Sequence, residues 1–145
     1  MPHVPPPVIA LAAGVAQRRL ASGRRPGRLR RLAAGGVAAG SAWLIGGSVD
    51  RFRRTGTTIN PLDPSRTTGL VTDGPNGVTR NPMYLGMAGM LSAHGLLRGG
   101  VATVVPVAAF VAVIDRLQIR PEEAALRQRF GQSYDDYCRR VRRWV

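Results

Sequence analysis

Four stretches of the chain carry no Arg, Lys, Asp or Glu: residues 1–17, 32–49, 81–97 and 99–114, which are 17, 18, 17 and 16 residues long. A helix on a soluble surface shows a polar face every three or four residues, and these stretches do not. Each lies near the roughly 17 residues at which a helix becomes long enough for a bilayer core, at about 1.5 Å per residue. Four of them within 145 residues predict an all-α integral membrane helical bundle forming a single domain, 1–145. Its parts are about four transmembrane helices over 5–21, 29–50, 82–97 and 101–119, an interfacial loop over 51–80 and an amphipathic C-terminal helix over 121–145. A soluble bundle with Ala-rich core helices explains one such stretch more readily than four.

Punctuation refines this frame. Pro5, Pro6 and Pro7 suit a helix start. The apolar run that follows has no basic leader and reads as a retained helix rather than a signal peptide. The stretch 33–47, AAGGVAAGSAWLIGG, is too rich in small residues to gain much from transfer into lipid. Gly36, Gly40 and Gly47 are instead expected to let helices approach closely. Residues 55–80 show no helical period and hold three prolines and four glycines, and a connector of that length is expected to be functional. Leu97-Arg98-Gly99-Gly100 reads as a tight turn, and Pro106 is expected to kink the helix that follows.

Charge separates two partner classes. All 21 basic residues are arginine, against 8 acidic residues, for a net charge of +13. Such a balance suits nucleic acid or an anionic membrane surface. Because the arginines fill the gaps between the apolar stretches, the expected partners are anionic lipid headgroups and not nucleic acid. Thirteen arginines fall in 51–80 and 116–143, against eight in the first turn and at Arg98. The positive-inside tendency then places the 51–80 loop and the tail in the cytoplasm, as for a bacterial inner or plasma membrane protein. The seven arginines of the first turn run against this, less so if the first helix only dips into the membrane. Cys138 is the lone cysteine, and His3 and His94 form no ligand pattern, so no metal site is expected.

Candidate chemistry follows from the short third turn. About three residues join the helices 82–97 and 101–119, so these are antiparallel neighbours whose far ends meet. That brings Arg80, Asn81 and Tyr84 toward Glu122 and Glu123. One reading is a salt bridge fixing two helix ends. The other is a site for a zwitterionic ligand, with Arg80 on a carboxylate and a glutamate on an ammonium. Backbone N–H groups at the start of the helix at Pro82 would help hold the anion.

The segments FRRTGTTINP (52–61), TDGPNGVTRNPMYLG (72–86) and IRPEEAALRQRFGQSYDDYCRRVRRWV (119–145) give the chain a family likeness. It resembles the isoprenylcysteine carboxyl methyltransferase and phospholipid methyltransferase superfamily of small integral membrane enzymes. That pattern runs G-P-x-x-x-x-R-H-P-x-Y-x-G, then E-E, then F-G-x-x-Y-x-x-Y and a basic-aromatic tail. Gly74, Pro75, Arg80, Pro82, Tyr84, Gly86, Glu122, Glu123, Phe130, Gly131, Tyr134, Tyr137 and Trp144 fit it. Asn81 stands where the family usually has histidine. Asparagine can donate and accept hydrogen bonds but cannot act as a base.

The resemblance implies S-adenosylmethionine as cofactor, S-adenosylhomocysteine as product, and no G-x-G-x-x-G fold. It implies cofactor contacts from Arg80, Asn81, Pro82, Tyr84, Gly86, Glu123, Phe130 and Tyr134, and catalytic roles for Arg80, Glu122 and Glu123. Glu123 is preferred to Glu122 as the cofactor's partner. The expected acceptor is lipophilic and enters from the bilayer, with an isoprenylcysteine-like carboxylate first and a phospholipid or small amine as the alternative. Phe130 and Tyr134 share a helical face that could close over an adenosine. Trp144 reads as an interfacial anchor, and Arg139, Arg140, Arg142 and Arg143 as contacts to anionic lipid. Asn60 and Asp63 could line the site or form Asx turns. The competing class is a non-enzymatic basic membrane scaffold or subunit.

Overall fold

The computed structural model describes residues 4–56 and 69–145. Within them all regular structure is helical: α1 (Pro6–Leu20), α2 (Arg28–Arg54), a single turn α3 (Pro75–Val78), α4 (Pro82–Arg98), α5 (Val104–Ile114), α6 (Arg120–Phe130) and α7 (Gln132–Arg140). Asn60, Asp63 and His3 lie outside the described residues.

Two helices are long and apolar enough to cross a membrane, α2 with 27 residues and the continuous 30-residue run Val101–Phe130. The sequence expectation of four spans is supported at that length for these two. α1 and α4, with 15 and 17 residues, are shorter. The side-chain distribution is partly inverted relative to a soluble protein. Leu29, Leu32, Trp43, Val101, Val104, Val105 and Leu117 point outward, while Gln17, Ser41, Ser48, Thr79, Asn81, Thr103 and Gln118 are buried. Exposed apolar area on this scale marks a surface made for an apolar neighbour.

Small residues fix the main crossing. α4 lies along α2 with Gly86 and Gly89 at the contact. A Cβ on Gly86 would sit 2.5 Å from Cγ1 of Ile45, and one on Gly89 would sit 2.1 Å from Oγ of Ser41. The expectation for α2 itself is only partly met. Gly47 abuts Pro75, but nothing lies within 4 Å of a Cβ built on Gly36 or Gly40, so the packing glycines are chiefly those of α4. α1 is tied in by buried Gln17, whose Nε2 donates to the carbonyls of Leu91 and Thr103, both at 2.9 Å. Tyr84, Ala88 and Leu91 of α4 meet Phe110, Ile114 and Ile119 in the core.

Several boundaries differ from the sequence expectation. α2 runs on to Arg54, and α3 interrupts the expected loop. Pro106 falls in the first turn of α5, after a 3-10 turn over Val101–Thr103, where a missing N–H disturbs little. The helix also does not stop before Pro121. A π-type turn over Asp115–Ile119 lets the Arg120 N–H reach the Asp115 carbonyl, five residues back. The register slips there, and the helix continues into α6. The expected helix over 121–145 is instead two helices and an extended end. Gly131, at φ +50°, separates α6 from α7, and the chain extends from Val141.

Candidate functional site

α4 starts at Pro82, and the hairpin it forms with α5 turns at Gly99 and Gly100, both at positive φ. The start of α4 therefore returns to the level of α6, as the short turn predicts. Nη2 of Arg80 meets Oε1 of Glu123 at 3.1 Å. The Tyr84 hydroxyl donates to Oε1 of Glu122 at 2.6 Å.

The two glutamates differ sharply. Both oxygens of Glu123 are taken by guanidinium groups. Besides Arg80, Arg143 donates from Nε to Oε1 at 3.0 Å and from Nη2 to Oε2 at 2.7 Å. Arg143 also reaches Oδ1 of Asp115 at 3.3 Å, and the other oxygen of Asp115 pairs with Arg120 at 3.1 Å. The hydrogen bond to Glu123 is the main cause that raises the Arg143 pKa, so this fork stays charged. Glu122 has only the Tyr84 hydroxyl and, among the described residues, no cationic partner. Arg80 is the other unbalanced group. Its side chain is 13% exposed, and its Nε is buried without a hydrogen-bond partner among the described residues. Buried donors are nearly always paired, so this one points to a partner outside the described residues.

The tail completes the site. The Arg80 N–H donates to the Arg142 carbonyl at 2.9 Å. Oγ1 of Thr79 and Nδ2 of Asn81 both donate to the Arg143 carbonyl, at 3.0 and 2.9 Å. Asn81 therefore uses its amide to hold the tail and makes no side-chain cap to α4. Arg143, expected at lipid, is part of the polar cluster. Trp144 is partly buried against the core. On the far wall the Tyr137 hydroxyl donates to the Asn76 carbonyl at 2.6 Å, and Ser48 donates to Oδ1 of Asn76 at 3.1 Å. Burial pushes the Tyr137 hydroxyl up to about 12 and raises that of Tyr134 as well. Both therefore stay neutral hydroxyls throughout the neutral range.

These walls enclose a cavity of about 220 Å³ lined by the start of α1, by Ser48 and Phe52 of α2, by 69–71 and Asn76, and by parts of α4, α6 and α7. Of the expected site residues, Arg80, Asn81, Pro82, Tyr84, Glu122, Glu123 and Tyr134 line it. Two do not. Gly86 is spent on the close approach of α2, and Phe130 packs beside Tyr134, Tyr137 and Val141. Sequence reading missed Arg143, Asn76 and Ser48. Only the closing basic-aromatic tail hinted at the first. Much of the wall is apolar, from Phe52, Met83, Met87 and Leu126. Among the described residues no cluster suited to a metal ion occurs.

The sequence profile of a family described as phospholipid methyltransferase matches residues 29–133. An uncharacterized protein of Haemophilus influenzae is 38% identical over 63 residues, which is 43% of this chain and all of that protein. No solved structure matches.

Proposed function

Because the chain belongs to the phospholipid methyltransferase family, and is thereby an S-adenosylmethionine-dependent methyltransferase acting on a lipid-related acceptor, we propose that its acceptor group is a phospholipid amine. On this reading Arg80 and Glu122 divide the binding of charge between them. One observation carries it: Arg80, whose Nε has no partner among the described residues, and the Glu122 carboxyl, which no described arginine engages, line one cavity.

The cavity fits the cofactor at its anionic end, where the free N–H of Arg80 suits a carboxylate. Asn81, Pro82 and Tyr134 would complete that wall. When bound, S-adenosylmethionine supplies a methyl group on a positively charged sulfur and leaves as S-adenosylhomocysteine. The protein's task is then to orient and desolvate the acceptor. An amine arrives largely as an ammonium and must lose a proton to expose its lone pair. Glu122 is the cavity carboxylate that no arginine engages, so it takes that proton while Tyr84 fixes its orientation. Asn81 plays no part as a base. An isoprenylcysteine-like carboxylate needs no base and would find no guanidinium at Glu122, so the carboxylate reading is disfavoured at this site. The family description points the same way.

The outward-facing apolar side chains support a membrane seat. α2 and the run Val101–Phe130 span the bilayer, and α1 and α4 complete the bundle at about 22 and 26 Å, at about 1.5 Å per residue. The arginine bias favours the cytoplasmic face for the cavity. Pro6, Pro7, Met83 and Met87 form the apolar side through which a lipid acceptor enters.

A labelled-methyl assay on the purified protein in vesicles tests the acceptor. With aminophospholipid vesicles the expected label sits on nitrogen and survives base. Label found only as a base-labile ester on a prenylcysteine carboxylate overturns the amine reading.

A further inference from the structure

The guanidinium of Arg143 occupies both oxygens of the carboxylate that also holds Arg80. Two cations share one anion, and the geometry divides it unequally. Arg143 has the two-point contact, and Arg80 keeps a single one through Nη2. Guanidinium and carboxylate pair best as a two-point fork. Without Arg143, the favoured arrangement of Arg80 is that fork on Glu123, with its orphaned Nε satisfied. Arg80 would then no longer present a free donor to the cavity.

We infer that Arg143 is a positioning residue, which saturates Glu123 so that Arg80 remains available to an anionic group of the ligand. This rests on the proposed role of Arg80 in holding the cofactor carboxylate. The arrangement is built in by the backbone. The carbonyls of Arg142 and Arg143 are held by the Arg80 N–H and by the side chains of Thr79 and Asn81. The tail is thereby fixed beside the residue it serves, whatever side chain stands at 143. Asp115 takes the remaining Nη1 at 3.3 Å, which aims the guanidinium plane at Glu123.

The inference separates from a purely structural role for the tail through a second-site test. S-adenosylhomocysteine is titrated calorimetrically into full-length protein in detergent, for the wild type, Arg143→Met, Glu123→Gln/Arg143→Met and Arg80→Met, each checked for an unchanged thermal transition. Arg143→Met keeps the tail's main-chain bonds and is expected to weaken binding about tenfold, or about 1.4 kcal/mol. Adding Glu123→Gln removes the charge that recaptures Arg80 and is expected to restore affinity to within about threefold of wild type, since a neutral amide competes poorly for a guanidinium. Arg143→Lys, which can make only one contact to Glu123, should fall between wild type and Arg143→Met. If the double variant binds no better than Arg143→Met, or if Arg143→Met binds like wild type while Arg80→Met is impaired, the positioning role is wrong and the cofactor site stands. If Arg80→Met also binds like wild type, the reading of the site itself has failed.

Discussion

Glu122 and Glu123 are adjacent in the chain and opposite in circumstance. One has two arginines, and the other has one tyrosine hydroxyl. Glu122→Gln should therefore lower methyl transfer by roughly 10²- to 10⁴-fold, the usual contribution of a positioned acid or base. The affinity for S-adenosylhomocysteine should change little. Steady-state rates beside a titration check the split, and a loss confined to cofactor binding would move Glu122 to the cofactor's cationic end. Asn81 makes a milder prediction. Asn81→Leu removes one donor from the Arg143 carbonyl, which Thr79 still serves. The cost in stability is then about 0.5–1.5 kcal/mol, that of an ordinary hydrogen bond, and Asn81→His recovers much of it. Thermal unfolding in detergent reads both. At this scale the sequence disclosed what lies within a turn of the α4–α5 hairpin. Arg80, Tyr84 and the two glutamates follow from one short connection. Arg143 was hidden because its place depends on the break at Gly131 and the extended path after α7, which no local pattern encodes.

Among the elements, the α2–α4 crossing is the most exacting. Gly86→Ala puts a methyl group against Ile45 and the Ser41 carbonyl, and is expected to cost about 1–3 kcal/mol as overpacking. Gly36→Ala meets open space and is expected to be neutral or to stabilise by up to about 1 kcal/mol through helix propensity. Unfolding of the two variants, in one detergent, compares like with like. Equal effects would contradict the crossing described. Helix positions were legible because charged residues leave the apolar stretches bare. The glycines that carry the packing were not, because α2 and α4 are both rich in small residues and composition cannot say which face is turned inward. Pro121 misled for a related reason. A proline normally ends a helix, but here it falls in the first turn of α6, just after the π-type turn over Asp115–Ile119, and the sequence gives no sign of that turn.

For the whole molecule, an apolar exterior, a partly polar interior and a cavity lined by both polar and apolar groups form one design. The exterior suits lipid, interior polar groups tie α1 to α4 and α2 to α3, and the cavity is proposed to take a charged cofactor. Net charge of +13 suits an anionic surface, but only the three-dimensional path of the tail brings one of those arginines onto Glu123. The most direct test of this account is calorimetric titration of S-adenosylhomocysteine into wild type and Arg80→Leu in detergent. The account predicts saturable binding by the wild type and a loss of about 1.5–3 kcal/mol in the variant, the worth of a hydrogen bond to a charged group. No binding by the wild type up to millimolar ligand, or equal affinity in the two proteins, would contradict it.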